Sequence, residues 1–479
     1  MSDRLSLAFH GAARTVTGSK FLLRAGGERI LIDAGLFQGL KELRLLNWDE
    51  PRFEPRSIDH VLLTHTHIDH IGYLPRLVKL GLRAPVHCTL AARQLAELML
   101  MDSAKIQEED ARFSNKKGFS RHKPALPLYT SKDARRALKM IRKQRYQRWV
   151  PLDRSGRLRA MFRNAGHILG SSFIEIRVPS RGRELRIVFS GDVGRFDIPL
   201  HVDPRPLVDC DVLIIESTYG DREHTTTSVL EQIREPFRRT LSEGGTVLIP
   251  AFAVGRSQQI TWILRLLMRE EKLPEVPIHI DSPMAINATR IYSRFLDKRN
   301  LDPEVYEDGR LRLFPDNVTF HRSVQESKRL NDMRGPRIII SASGMLTGGR
   351  VLHHLQRLGP DRRNLIMLVG YQAEGTRARD LLEGRDEIKM HGRFVPVRAT
   401  VISVQGLSGH ADRSELLRWV GSASRRPKTA FVVHGEPDSA DSFARELRER
   451  FAISAIIPNL GDEFDLVELL ARRGAAKRE

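Results

Sequence analysis

The chain has 479 residues, long enough for two domains, and is 41% hydrophobic against 29% charged, which excludes a disordered chain. Its two cysteines, Cys88 and Cys210, show no pairing pattern and exclude a cysteine-built metal cluster. A formal charge of +19, from 78 basic and 59 acidic residues, favours a polyanionic partner, nucleic acid being the commonest.

The start, Met1-Ser2-Asp3-Arg4, lacks the layout of a signal peptide, and no apolar run nears the ~18–20 residues of a membrane span. The expectation is a cytoplasmic protein with no membrane partner. Short β-rich runs at 5–9, 20–23, 29–33 and 61–64 read as strands bounded by Gly, Asp or Pro. A helical pattern follows over 90–109. From 111 to 150 there are thirteen Lys or Arg against one acid, Asp133, with Phe113, Phe119, Tyr129, Tyr146 and Trp149 interspersed. Such mixing suits a surface that grips phosphates and stacks on bases, and 134–149 reads as a basic amphipathic helix. Strand patterns at 172–178, 186–190 and 211–216 come next. Strands at 338–341, 365–369, 401–403 and 430–434 then alternate with helical stretches at 229–241, 257–268, 349–358 and 414–419, an α/β reading.

A hydrolytic centre for two metal ions needs several imidazoles and carboxylates converging on one point, one of them bridging. His65-Thr66-His67-Ile68-Asp69-His70 offers four ligands in six residues, directly after the strand at 61–64, on the loop where α/β proteins place chemistry. Alone it cannot complete two shells. His167, Asp192 and His434 each close an apolar run and are candidates for the rest.

These residues resemble a known group. The spacing of Asp33, the cluster His65 to His70, His167 and Asp192 is similar to the metallo-β-lactamase fold. Three further runs narrow the resemblance: Ile215-Glu216-Ser217-Thr218-Tyr219-Gly220, Ser408-Gly409-His410-Ala411-Asp412 and Val433-His434-Gly435. They resemble the β-CASP nucleases, which include the cleavage and polyadenylation endonuclease subunit and its bacterial and archaeal relatives. Arg14-Thr15 departs from the pattern, since many relatives carry an acid before Val-Thr-Gly.

The resemblance implies a metallo-β-lactamase αββα sandwich with an inserted α/β β-CASP domain. The expected boundaries are 1–216 and 401–465 for the sandwich, 217–400 for the insertion and 466–479 for a basic tail, with the two domains facing each other over a cleft. It implies His65, His67 and His167 as ligands of a first zinc, Asp69, His70 and His434 of a second, and Asp192 as the bridge. Manganese or iron could replace zinc. Asp33 would orient a ligand histidine, and Glu216 would hold His410 as the proton donor to the leaving oxygen. In the insertion, Ser341, Ser343 and Gly344 with Arg350 and Arg256 are candidates for substrate phosphate contacts. The expected activity is a zinc-dependent ribonuclease using a hydroxide activated by two metals, endonucleolytic, acting on single-stranded RNA in RNA processing or decay. The alternatives are a 5′-exonuclease, or a hydrolase of a small ester, lactone or thioester. A homodimer is compatible with the sequence, which leaves oligomeric state open.

Overall fold

The computed structural model describes residues 5–118, 122–180, 183–225, 227–269 and 273–475. The chain forms two compact units: Met1–Phe196, Asp203–Glu223 and His410–Glu479 make one, and Asp197–Val202 with His224–Gly409 the other.

The first unit is built on two seven-stranded sheets. One runs in the order Glu463–Asp465, Ser6–Phe9, Phe21–Ala25, Glu28–Ile32, His60–Leu62, Val86–Thr89, Ile141–Gln144. The other runs Ser454–Ile456, Thr429–Val433, Val212–Glu216, Arg183–Phe189, Ser172–Ser180, Arg159–Asn164, Trp149–Pro151. Side chains alternate across each strand, so one sequence feeds two cores. Leu7, Phe9, Ile30 and Ile32 pack with Ile187, Phe189, Ile214 and Phe431 between the sheets. The intervening Ala8 and Leu31 face a second core with Leu74, Leu77, Ala92 and Ala96 of the covering helices. On the far side, Val188, Leu213 and Val432 meet Leu416, Trp419 and Phe443 of the helices Arg413–Gly421 and Pro437–Phe451. Each sheet therefore carries helices on its outer face, the expected αββα sandwich.

The second unit holds a six-stranded sheet whose strands pair in parallel among the described residues, in the order Val318–Phe320, Ile278–Ile280, Arg337–Ser341, Thr246–Pro250, Leu365–Val369, Thr400–Val404. Its central strands read as near-continuous apolar runs because both faces are covered. Ile338, Ile340, Val247 and Ile249 enter one core, and Ile339 and Leu248 the other.

Two local expectations change. The basic helix expected over 134–149 is Ser131–Met140, opened by a Thr130–Asp133 capping box, and the chain then turns extended at Ile141. Ile141–Gln144 pairs with Val86–Thr89 as an edge strand, its Arg142 and Lys143 exposed. Alternating exposed basic residues fit either period, and pairing to the sheet decides between them. The stretch expected as a tail forms a helix, Leu466–Ala475, with Leu466 and Leu470 buried in the inter-sheet core.

Candidate metal centre

The polar residues of interest sit at strand ends of one edge of the sandwich. Asp33 follows Glu28–Ile32, the cluster His65 to His70 follows His60–Leu62, and His167 follows Arg159–Asn164. Asp192 follows Arg183–Phe189, Glu216 ends Val212–Glu216, and His434 follows Thr429–Val433. The apolar strands fix their ends through packing, and the edge is the first place a polar group can leave the core.

The geometry divides these groups in two. His65 Nε2 lies 3.2 Å and His167 Nε2 3.5 Å from Asp192 Oδ2. His67 Nδ1 lies 3.2 Å from His65 Nε2 and 3.1 Å from His167 Nε2. Beside them, His70 Nε2 is 3.2 Å from His434 Nε2, and His434 Nε2 is 3.4 Å from Asp69 Oδ2. His70 Nε2 also lies 3.2 Å from Asp192 Oδ1, so the two oxygens of one buried carboxylate face the two groups. All seven expected ligands thus converge, and Asp192 stands between them.

The electrostatics suit cation binding. Burial, reinforced by neighbouring imidazoles, lowers His65, drives His67 to about 3 and puts His167 well below the usual histidine range. The lowered values favour neutral rings, each of which offers a nitrogen lone pair to a cation. Burial alone would raise the Asp192 carboxyl, but His70 and His434 hold it well below the usual range. Its Oδ1 is buried and has no hydrogen-bond partner among the described residues. An ionised, orphaned carboxylate oxygen facing imidazoles is the donor set a divalent ion needs.

A surrounding layer fixes the rings. His70 Nδ1 lies 2.8 Å from Asp33 Oδ2, and Asp33 also accepts hydrogen bonds from Thr64 N and Thr64 Oγ1, both at 2.7 Å. Burial would lower the His70 pKa, yet Asp192 and Asp33 raise it well above the ordinary value. Two carboxylates facing one ring mark a position that favours positive charge. His410 Nδ1 sits 3.1 Å from Glu216 Oε2, and Glu216 Oε1 accepts from Val193 N at 2.6 Å. Burial opposes charge on His410, but Glu216 and then Asp192 override it and raise the pKa to about 9. Close packing makes two glycines necessary. A Cβ on Gly35 would lie 1.6 Å from the Asp69 carbonyl oxygen, and one on Gly435 would lie 2.2 Å from Ser217 Oγ.

Sequence reading did not single out four hydroxyls of this layer. Thr64 Oγ1 is 3.1 Å from His65 Nδ1, Thr218 Oγ1 is 3.1 Å from His434 Nδ1, and Ser19 Oγ is 3.4 Å from His70 Nε2. Ser171 Oγ accepts from the His167 backbone N–H at 3.1 Å. Thr218 stands in the run Ile215 to Gly220, next to Ser217, and its position two residues past the strand Val212–Glu216 is the available signal.

In the second unit, the candidate phosphate residues lie at the C-terminal edge of adjacent parallel strands, with Pro250 opposite Ser341. Several are engaged in their own unit. Ser341 Oγ donates to the Asp281 carbonyl at 3.0 Å, and Ser343 Oγ lies 3.0 Å from Thr347 Oγ1. A Cβ on Gly344 would meet the Phe252 ring at 3.0 Å. Arg350 donates to Asp281 Oδ1 at 2.6 Å and to the carbonyls of His321 and Arg322 at 3.2 and 2.7 Å. Arg256 donates to Gln259.

Comparison with known proteins gives three family matches. Residues 15–156 match the metallo-beta-lactamase superfamily, 257–381 the Beta-Casp domain, and 395–458 the Zn-dependent metallo-hydrolase RNA specificity domain. Ribonuclease TTHA0252 of Thermus thermophilus is 38% identical over 432 residues, covering 89% of this chain and 92% of that protein. An RNase J-like protein of Methanocaldococcus jannaschii is 30% identical over 95% of this chain and 98% of its own length. Transcription termination factor FttA of the same organism is 30% identical over 95% of this chain and 70% of its length. A crystal structure of a protein of unknown function from Enterococcus faecalis shares the fold, with a TM-score of 0.52 at 14% identity, over 97% of this chain and 100% of that one.

Proposed function

Because the chain belongs to the β-CASP family of the metallo-β-lactamase superfamily, we propose that it is a ribonuclease that hydrolyses RNA phosphodiester bonds at a two-zinc centre. The carrying observation is the Asp192 carboxylate, which turns one oxygen to His65 and His167 and the other to His70. His65, His67, His167 and Asp192 would hold one ion, and Asp69, His70, His434 and Asp192 the other. The histidine-rich donor set favours zinc, with manganese or iron as the alternatives. Bound divalent ions supply Lewis acidity toward water and the phosphoryl oxygens.

The chain's own residues supply the rest. Asp33 and Thr64 fix the His70 ring, and Thr218 faces His434, so these nitrogens would be presented to bound ions in set orientations. His410 is charged at neutral pH because Glu216 holds its Nδ1 side. It therefore has a proton to give to the ribose oxygen expelled from phosphorus. RNA as substrate is supported by the RNA specificity domain match at 395–458, by the ribonuclease relatives and by the charge of +19. A small ester or thioester gives no use for that excess of positive charge.

Pure protein incubated with end-labelled single-stranded RNA tests the reading. Expected are 5′-phosphate product ends, about two zinc ions per chain and loss of cleavage in Asp69→Ala and His410→Ala. Wild-type rates in both variants would sink the mechanism. A circular RNA separates the modes: the endonuclease proposed here opens it, whereas a 5′-exonuclease leaves it intact.

A further inference from the structure

The loop 10–20 leaves the strand Ser6–Phe9 and returns in Phe21–Ala25. Register aligns Phe9 with Phe21, Phe21 with Ile32 and Ile32 with Leu62. The loop therefore rises from the same sheet edge as Asp33 and the His65 cluster. It is tied directly to the metal centre: the Ala12 carbonyl accepts from His434 N at 2.7 Å, and Ser19 N donates to the Asp69 carbonyl at 2.9 Å.

Within 11–20 every residue is buried or half-buried except Arg14, which is exposed. Arg14 has φ +54 and Ala12 φ +49, both in the left-handed region that non-glycine residues seldom occupy. Such conformations persist where the surroundings impose them and gather at functional sites. The result is an arginine pushed outward two residues from the one bonded to His434, so its Cα lies at most about 7 Å from that of Ala12. Its Nε donates to Asn459 Oδ1 at 3.0 Å, which fixes the plane of the guanidinium. Among the described residues this is its only side-chain hydrogen bond, and no acid pairs with it. A guanidinium has five N–H donors in a fork that matches phosphate.

We propose that Arg14 binds a backbone phosphate of the RNA beside the scissile one, from the rim of the metal centre. This rests on the ribonuclease reading. It makes Arg14 a substrate-positioning residue and one source of preference for a polyanion over a small ester.

The test compares Arg14→Ala, Arg14→Lys and a charge-matched control, Arg29→Ala, on a defined single-stranded RNA. Arg29 is exposed in Glu28–Ile32, toward the end of that strand away from Asp33. Zinc content is measured alongside. Expected in Arg14→Ala are KM raised about tenfold, kcat within about twofold, unchanged zinc, and a salt slope of log kcat/KM shallower by about 0.7. Arg14→Lys recovers part of the loss, since a point charge replaces the fork, and Arg29→Ala leaves KM unchanged. If wild type cuts RNA and Arg14→Ala keeps its KM and salt slope, the inference fails while the ribonuclease reading stands. Loss of kcat together with zinc also overturns it, because the loop then serves only to hold His434. If wild type neither cuts nor binds RNA, the reading fails and takes the inference with it.

Discussion

His410 shows how one contact sets a residue's chemistry. Burial would strip its proton, but Glu216 at 3.1 Å and Asp192 raise the pKa from 6.5 to about 9. As a proton donor it acts below that value, so the rate should fall as pH rises through about 9. Glu216→Gln should move this alkaline limb to lower pH, because burial then acts with less opposition. A pH–rate profile of both proteins checks it, and an unmoved limb in the variant would show that another group sets it. The same raised value has a stability consequence. Stabilisation from charged His410 is complete below pH 6.5 and lost as pH rises through about 9. Thr218 offers a second test, through the hydroxyl facing His434 Nδ1 at 3.1 Å. Removing such an outer partner costs about 10–100-fold in metal affinity or activity. Thr218→Val should therefore lose zinc to a chelator at correspondingly lower chelator concentration, with the fold intact by circular dichroism.

At the scale of elements, the helix Leu466–Ala475 carries a prediction of its own. Leu466 is fully buried in the inter-sheet core, and its backbone N–H bonds to the Leu5 carbonyl at 2.9 Å. Truncating a buried leucine removes its burial energy and leaves a cavity, together about 2–5 kcal/mol. Leu466→Ala should lower the urea midpoint by that free energy divided by the slope, with the slope itself unchanged. A change near zero would mean that the chain end is not integral to the sandwich. The strand Ile141–Gln144 is the matching case at the opposite edge of the sheet, where exposed Arg142 and Lys143 also guard an open edge against pairing with another chain.

For the whole molecule, charge is the property to test. Lys132, Arg135, Arg136, Lys139, Arg142, Lys143, Arg145 and Arg148 are all exposed within one stretch. Each phosphate contact by such residues steepens the salt dependence of single-stranded RNA affinity by about 0.7 on a log–log plot. Replacing Arg142, Lys143 and Arg145 by Gln should flatten that slope by up to about 2, with zinc content unchanged. An unaltered slope would remove this surface from the RNA path.

Much of this was legible in the sequence because it is local. The ligand cluster from His65 to His70 lies within six residues, the short β-rich runs mark strands, and His167, Asp192 and His434 each close an apolar run. The sequence determined the family, the α/β class and the chemical type of the site. Only the tertiary structure decided the rest. Partners far apart in the chain, such as His70 with His434 or Glu216 with His410, are set by strand order and register, which no local pattern encodes. The same holds for the end of the basic helix at Met140, where pairing with Val86–Thr89 overrides a pattern that fits two periods. The buried helix at the chain end and the hydroxyls of Thr64 and Thr218 were hidden for a related reason. A short amphipathic run or a single threonine acquires its role only from what the fold packs against it.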